Sequence, residues 1–185
     1  MIAIQDLAIP DVKLVRIKRH GDGRGYFAET YVRRAFAAAG IGGEFTQDNE
    51  VLSRATGTVR GLHFQLPPHA QTKLVRVVRG RILDIAVDLR RSSPTFGRHV
   101  TIELDAERGD QLLVPAGFAH GYCTREPDTL VLYKVDKPYA PDYDRGVNWS
   151  DPDLAIAWGV AENEAVMSDR DRALPNLRDL AVCFD

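Results

Sequence analysis

KLVRVVRGRILDIAVD, residues 73–88, divides into two apolar-rich runs at a single glycine. Short aliphatic runs bounded by turn residues are typical of β-strands, and glycine supplies the backbone freedom that a tight turn needs. The stretch therefore predicts two strands, Lys73–Arg79 and Arg81–Asp88, joined at Gly80.

The same alternation of strand and turn continues on both sides of this stretch. Further predicted strands or extended segments are Val12–Ile17, Phe45–Glu50, a strand from Val59, Val100–Leu104, Gln111–Val114, Gly121–Thr124 and Leu130–Val135. One short helix is predicted over Tyr31–Ala39, with Gly40 as its stop. Short strands at this spacing indicate an all-β barrel or sandwich rather than βαβ units. The tail from Pro138 is irregular in pattern, and residues 1–185 are expected to form one domain.

Composition and charge argue against several classes of protein. The 185 residues include 24 Lys and Arg against 26 Asp and Glu, which gives a net charge of −2. A general nucleic-acid-binding protein needs a basic face, so no nucleic acid is expected as partner. No apolar run approaches the ~20 residues of a membrane span, and the N-terminus lacks a signal-peptide pattern. Cys123 and Cys183 form neither a disulfide framework nor a zinc-binding spacing, so we expect a cytoplasmic protein.

A second stretch, Arg60-Gly61-Leu62-His63-Phe64-Gln65, places a histidine in a predicted strand. Because strand side chains alternate between faces, His63 should share a face with Gly61 and Gln65. The glycine leaves room for the close approach of another group. Taken alone, these features favour a structural histidine and, at Lys73, a solvent-exposed lysine.

The glycine-rich segment GDGRGYFAE, residues 21–29, is a poor match to a dinucleotide-binding fingerprint, because no strand-to-helix turn follows it. It is typical of a flexible turn. Its side chains Arg24, Phe27 and Glu29 are also suited to binding a flat, polar molecule.

The stretch GDQLLVPAGFAH, residues 109–120, has Gly, Pro, Gly and His at fixed offsets. It resembles the second motif of the cupin superfamily, in which a tight hairpin delivers the histidine into a jelly-roll β-barrel. The first cupin motif supplies His-x-His to a metal, but here the corresponding place is His63-Phe64-Gln65. With His120, only two imidazoles are available, which makes a poor metal site. The resemblance therefore implies a metal-free cupin jelly roll with a few short peripheral helices.

A narrower resemblance covers nearly the whole chain, from about Val12 to Pro175. The motifs that carry it are Asp22–Gly25, Gln47–Asn49, Arg60–Gln65, Pro67–Gln71, Lys73–Arg76, Ala86–Arg90, Ser93–Gly97 and Tyr139–Pro141. These are similar to motifs of the dTDP-4-dehydrorhamnose 3,5-epimerase family. The resemblance implies an isomerase that acts on a dTDP-linked 4-keto-6-deoxy sugar in dTDP-rhamnose biosynthesis and needs no cofactor.

The resemblance also implies catalytic roles for named residues. His63 is expected to take a proton from carbon, oriented by a carboxylate in Ser168-Asp169-Arg170-Asp171. The motif aligns Asp171 with that role, while Asp169 remains a competitor. Lys73 is expected to stabilise the enolate, and Tyr133 to return a proton on the opposite face of the sugar.

Substrate-binding residues follow from the same resemblance. Arg24 is expected at the diphosphate and Phe27 at the base, with Glu29 beside them. Further candidates are Gln47, Asn49, Arg60, His120 and Tyr139. In the family the N-terminal segment crosses to a second subunit, so a homodimer with shared sites is expected.

Two alternatives stay open at this point. One is an epimerase that inverts only C3 or only C5 of a related nucleotide 4-keto sugar. The other is a non-catalytic sugar-nucleotide-binding cupin or a metal-dependent cupin. The joint presence of His63, Lys73, Tyr133 and Asp171 favours an enzyme over a binding module.

Overall fold

A computed structural model describes residues 2–181 and 183–185. The first strands are β1 (Ile2–Asp6), β2 (Lys13–Ile17), β3 (Arg19–Asp22), β4 (Gly25–Ala28), β5 (Gln47–Ser53), β6 (Val59–Gln65) and β7 (Lys73–Arg79). The later strands are β8 (Arg81–Asp88), β9 (His99–Asp105), β10 (Gln111–Val114), β11 (Phe118–Thr124), β12 (Thr129–Val135) and β13 (Asp144–Gly146). Two short helices are α1 (Arg33–Ala38) and α2 (Asp169–Arg172), and single 3-10 turns lie at Pro141–Tyr143 and Leu177–Asp179. The predicted all-β class is confirmed.

Two antiparallel sheets form the body of the barrel. One has six strands in the order β1-β2-β10-β7-β12-β5, and the other has five in the order β13-β6-β11-β8-β9. The chain passes from one sheet to the other at Gly80, between β7 and β8. A Cβ at Gly80 would lie 2.3 Å from the Thr129 hydroxyl, and the backbone there has φ +82°. Glycine is therefore required where the chain changes sheet.

Among the described residues, three apolar clusters hold these layers together. The cluster between the sheets includes Val75, Ile82, Leu112 and Val131. The outer face of the six-stranded sheet is covered by α1 through Phe36. The outer face of the five-stranded sheet is covered by the C-terminal tail, whose apolar residues include Trp149, Leu154, Trp158 and Phe184. The tail from Pro138 has an irregular sequence pattern, but it forms a packed layer of the fold, and its strand β13 pairs with β6.

A local irregularity in β6 sets the direction of its side chains. The pairing between β6 and β11 shifts register between the pairs His120–His63 and Tyr122–Arg60. Gly61 lies in this bulge with φ +122°, and a Cβ there would meet Gly121 Cα at 2.6 Å. The close approach that the glycine permits is therefore made by the neighbouring strand.

Several local predictions need correction. The segment of residues 21–29 forms most of an antiparallel hairpin, β3 with β4, instead of a flexible turn. The predicted helix begins two residues later and ends one residue earlier, at Arg33–Ala38. Strands β1 and β13 were not predicted, and β11 begins at Phe118 instead of Gly121.

Candidate active site

One polar cavity of about 250 Å³ opens between the two sheets. Its lining residues are Val51, Arg60, His63, Lys73, His120, Tyr122, Tyr133, Ser168, Arg170 and Asp171. Six of these were predicted as site residues from widely separated motifs. A larger cavity of about 310 Å³ shares Tyr133 but otherwise includes residues such as Leu74 and Lys134. The smaller cavity contains the acid–base groups and is therefore the candidate active site.

His63 and Asp171 form a hydrogen-bonded pair on this cavity. Their Nε2 and Oδ1 atoms lie 2.9 Å apart, and the second carboxylate oxygen accepts from the Gly61 amide at 3.3 Å. Ser168 caps α2 by accepting from the Asp171 amide, which fixes that carboxylate next to β6. Burial acts to raise the pKa of Asp171, but the hydrogen bonds from His63 and Gly61 outweigh it and lower the pKa. The carboxylate can therefore orient the imidazole.

Asp171, not Asp169, is the carboxylate that contacts His63. The Asp171 side chain is only 8% exposed, whereas Asp169 lies on the exposed surface of α2. The sequence could not separate the two, because they are two residues apart in a helix of one turn.

Lys73 is a buried cation on the inner face of β7. Its Nζ donates to the His63 carbonyl oxygen at 3.3 Å. Burial lowers the pKa of Lys73 to about 8, while the charges of Asp144 and Asp84 oppose that change. A poorly solvated ammonium group is well placed to stabilise negative charge that develops on a bound molecule.

Tyr133 borders the cavity from the other sheet. It lies on β12 in the six-stranded sheet, whereas His63 lies on β6 in the five-stranded sheet. Burial raises the pKa of Tyr133, and Arg60 acts in the opposite direction. The phenol therefore remains protonated at neutral pH and faces the cavity from the side opposite His63.

Arg60 supplies a second fixed cation. Its Nε donates to Ser53 Oγ at 3.1 Å and its Nη2 to the Leu52 carbonyl oxygen at 3.3 Å. Strict alternation along β6 places Arg60 on the face opposite His63. The bulge at Gly61 instead allows both side chains to line the same cavity.

His120 is paired with a second aspartate. Its Nε2 lies 2.6 Å from Asp84 Oδ1, and Asp84 is completely buried. Asp84 lies on the inner face of β8, between Ile82 and Ala86. Two groups here were not predicted from the sequence: Tyr122, which lines the cavity, and Asp84, which pairs with the lining residue His120. An acidic residue at an inward position of an apolar strand was the available signal.

A polar network reaches the cavity through Arg170, which is one of its lining residues. Gln47 donates to Asn49 Oδ1 at 2.8 Å and accepts from the Tyr139 amide at 3.2 Å. Asp144 Oδ2 accepts from the Tyr139 hydroxyl at 3.0 Å and from Arg170 Nη2 at 2.6 Å. These contacts bring Gln47, Asn49 and Tyr139 together, and they add two groups that were not predicted, Asp144 and Arg170.

The predicted nucleotide-binding side chains of the hairpin are not brought into the cavity. Phe27 is 67% exposed, and the Arg24 side chain is 91% exposed and paired with Asp22 at 2.6 Å. Glu29 is also exposed. Within one chain, the site therefore lacks the three groups that were expected to hold the nucleotide.

Among the described residues, no group of three or more His, Cys, Asp or Glu side chains is arranged to hold a metal ion. His63 and His120 lie opposite each other, but each is paired with its own aspartate. None of the helices in the part of the chain that the structure describes is long and apolar enough to cross a membrane.

The jelly-roll barrel, the His–Asp pair and the opposed phenol define a cupin-type isomerase. The family model described as dTDP-4-dehydrorhamnose 3,5-epimerase matches residues 6–179. The chain belongs to this family.

Similar proteins support the assignment at the level of sequence and of fold. The chain is 50% identical over 182 residues to the dTDP-4-dehydrorhamnose 3,5-epimerase of Sinorhizobium fredii, covering 97% of this chain and 92% of that protein. A crystal structure of the Bacillus anthracis enzyme with TDP and PPi bound has a TM-score of 0.92 and 46% identity, covering 95% of this chain and 99% of that chain. A Legionella pneumophila epimerase in complex with dTDP-4-keto-L-rhamnose has a TM-score of 0.93 and 35% identity, covering 97% and 95%.

Proposed function

We propose that this protein converts dTDP-4-dehydro-6-deoxyglucose to dTDP-4-dehydrorhamnose by inverting C3 and C5. The observation that carries the proposal is the pairing of His63 with Asp171 on one side of a cavity that Tyr133 borders from the opposite sheet. Inversion of a carbon next to a ketone needs a base on one face and an acid on the other. This cavity offers both.

The proposed chemistry begins with a C–H bond next to the C4 ketone. The His63 ring nitrogen that faces away from Asp171 takes the proton, and the electron pair moves to the C4 oxygen as an enolate. Lys73 and Arg60 place positive charge near that oxygen, and each donor of this kind is worth roughly 3 kcal/mol. Tyr133 then gives its proton to the same carbon from the opposite face, and the enolate electrons return to form the new C–H bond. His63 then releases its proton to solvent, and Tyr133 regains a proton from solvent.

No redox cofactor is needed in this scheme, because a proton and not a hydride is transferred. We also propose that the enzyme works without a metal ion. A chelator that abolishes activity, with recovery on addition of one divalent ion, would contradict that part of the proposal.

We assign the nucleotide part of the substrate to this polar network and to residues of a second subunit. Gln47, Asn49 and Tyr139 are linked through Asp144 to Arg170, which lines the cavity, and His120 and Arg60 line the cavity themselves. Arg24, Phe27 and Glu29 are proposed to reach the cavity of a partner copy, so that a homodimer contains two shared sites. Their exposure in the single chain supports this arrangement. Residues 1–185 then act as one epimerase domain.

We assign the protein to the cytoplasm. Cys123 and Cys183 are both free thiols. Cysteines that stay unpaired are typical of a reducing compartment.

The decisive experiment is incubation with dTDP-4-keto-6-deoxyglucose in deuterated water, with the label followed by NMR at C3 and C5. Label at both carbons, together with formation of the rhamno product, is the expected result. Label and inversion at one carbon alone would identify a 3-only or 5-only epimerase. Binding of the nucleotide sugar with no exchange at either carbon would identify a non-catalytic binding protein.

A further inference from the structure

The hairpin of β3 and β4 buries little of its own surface. It forms a two-stranded sheet that is separate from the two sheets of the barrel, and no residue of either strand is buried. A two-stranded hairpin without a packed apolar face is only marginally stable in water. Its orientation on the barrel therefore has to be set by polar contacts.

Arg19, the first residue of β3, makes such contacts with the barrel. Its Nη2 donates to the Ala106 carbonyl oxygen at 2.8 Å, and its Nη1 donates to the Glu107 carbonyl oxygen. Both acceptors belong to the turn that follows β9. Within the part of the chain that the structure describes, the other side-chain hydrogen bonds of residues 19–28 join Arg24 to Asp22 and stay inside the hairpin. The side-chain hydrogen bonds of Arg19 thus link the hairpin to the barrel.

Two further contacts hold the Arg19 guanidinium in this place. Its Cζ lies 4.2 Å from the centre of the Tyr26 ring, and Tyr26 is diagonal to Arg19 in the register of the hairpin. Gly109 leaves the space that the guanidinium fills, since a Cβ at Gly109 would lie 2.7 Å from Arg19 Cζ. A guanidinium can bond two carbonyl oxygens and stack on a ring at the same time, which a lysine ammonium cannot do.

The orientation of the hairpin determines where Arg24 and Phe27 point. Both residues follow Arg19 in the hairpin, and both are largely exposed. A ligand that binds to a segment without a fixed orientation has to supply the free energy of ordering that segment. Because Arg19 contacts both strands' surroundings, the hairpin presents Arg24 and Phe27 in one orientation before a ligand binds.

We propose that Arg19 is a positioning residue for nucleotide binding, which holds the hairpin of β3 and β4 in the orientation that Arg24 and Phe27 need to contact the nucleotide. Arg19 acts through the hairpin and does not touch the substrate. The effect on the nucleotide rests on the proposed function, whereas the link between hairpin and barrel depends only on the contacts of Arg19.

Hydrogen–deuterium exchange of the full-length protein without substrate tests this link. In Arg19→Gln the amides of residues 19–28 should exchange about 5-fold faster or more, while the amides of the barrel strands keep their rates. Arg16→Gln is the matched control, because it removes an arginine of β2 whose ion pair with Asp110 lies outside the hairpin. It should leave exchange in the hairpin unchanged. Equal exchange of the hairpin amides in Arg19→Gln and in wild type would overturn the proposal.

Steady-state kinetics with dTDP-4-keto-6-deoxyglucose test the consequence for binding. Arg19→Gln should raise KM about 3–10-fold and leave kcat within about twofold, since the reacting carbons are remote from the hairpin's role. In the Arg24→Ala background the same substitution should raise KM by a smaller factor, because part of its effect is expressed through Arg24. A fall in kcat at unchanged KM, or the same factor in both backgrounds, would contradict a positioning role.

The two measurements separate this proposal from the proposed function. If Arg24→Ala leaves KM unchanged, the assignment of the hairpin to the nucleotide is wrong, and the role of Arg19 in binding falls with it. Faster exchange of the hairpin in Arg19→Gln would still show that Arg19 orders the hairpin.

Discussion

His63 and His120 lie directly opposite each other on β6 and β11, and each imidazole is hydrogen bonded to a different aspartate. Asp171 reaches His63 from the C-terminal tail, whereas Asp84 reaches His120 from the adjacent strand β8. Two imidazoles that face one cavity could form half of a metal site. Their separate carboxylate partners instead leave each ring as a hydrogen-bonding group. The arrangement therefore favours proton transfer over metal ligation.

The pair formed by His63 and Asp171 can be tested by two neighbouring substitutions. Asp171→Asn should reduce kcat/KM, because the imidazole loses the charge that orients it. The loss should be smaller than that of His63→Ala, for which removal of a general base costs about 10²–10⁴-fold. Asp169→Asn is the matched control, since that carboxylate is exposed and lies two residues away on the same helix. Equal losses for the two asparagine variants would remove the special role of Asp171.

Deprotonation of Lys73 should lower kcat/KM at alkaline pH. Its folded-state pKa of about 8 lies below the ordinary value of 10.5, because the ammonium is buried. The cation is present below pH 8 and is lost above it, so kcat/KM should fall as the pH rises through about 8. In Lys73→Arg this descending limb should move to higher pH, since guanidinium stays protonated throughout. An unchanged alkaline limb in that variant would assign the ionisation to another group.

Lys73 also affects the stability of the fold, in the direction opposite to its expected benefit for activity. Because the pKa of Lys73 is lower in the folded state, the buried charge destabilises the fold below pH 8, and stability rises between pH 8 and about 10.5. A lysine at an inward position of a strand is thus retained at a cost to the free energy of unfolding, as is typical of active-site groups.

Much of the fold was predictable because strand length, turn glycines and the spacing of Gly109 to His120 are local signals. The hairpin of β3 and β4 was not predicted, since its glycines are equally typical of a flexible turn. Strand β13 was missed for a different reason: its three residues form a strand only by pairing with β6. Such short segments take their conformation from tertiary contacts and not from their own propensity.

The residues of the candidate site were also predictable only in part. Resemblance to a family proposed His63, Lys73 and Tyr133, and the fold brings them to one cavity. Alternation alone put Arg60 on the wrong face, because it takes no account of the bulge at Gly61. Asp84 was overlooked because its partner, His120, lies on β11, 36 residues away in the sequence. The alternation of residues along one strand does not reveal a bulge or a contact with another strand.

Asp88 should make a large contribution to stability at neutral pH. Its buried carboxylate accepts from Arg90, Ser93 and Thr95. Burial acts to raise its pKa, but these hydrogen bonds outweigh burial and lower the pKa to about 2. Because the folded pKa lies below the unfolded value, the stabilisation is complete above pH 4 and is lost as the pH falls toward 2.

Urea unfolding of Asp88→Asn checks this expectation. At pH 7 the variant should be destabilised by about 2 kcal/mol or more, since a buried hydrogen-bonded charge is replaced by an amide. The difference from wild type should narrow below pH 4. Asp11→Asn is the control. It also removes a carboxylate that is bonded to Arg90, but because the Asp11 side chain is half-exposed, the effect should be much smaller. A pH-independent difference would show that packing, and not the ionised carboxylate, is responsible.

The shared site of the proposed homodimer can be tested by complementation. Arg24→Ala should mainly raise KM, because Arg24 is assigned to the diphosphate and not to the reacting carbons. If Arg24 serves the partner's cavity, a mixed dimer of Arg24→Ala and His63→Ala contains one intact site. After subunit exchange at low substrate concentration, the mixture should regain about a quarter of wild-type activity, because half of the dimers are mixed and each has one good site. Mixing without any gain beyond the average of the two variants would place Arg24 in its own chain's site.

The division of roles between His63 and Tyr133 makes the sharpest prediction. His63→Ala should abolish proton abstraction, and with it both inversion and solvent exchange at C3 and C5. Tyr133→Phe keeps the ring and its packing on β12 but removes the proton donor on the opposite side of the cavity. In that variant His63 can still form the enolate and return a proton from its own side. Deuterium exchange into unchanged substrate, followed by NMR, should therefore persist while inversion is lost. Complete loss of exchange in Tyr133→Phe, equal to that in His63→Ala, would show that the phenol takes part in forming the enolate or in binding the sugar.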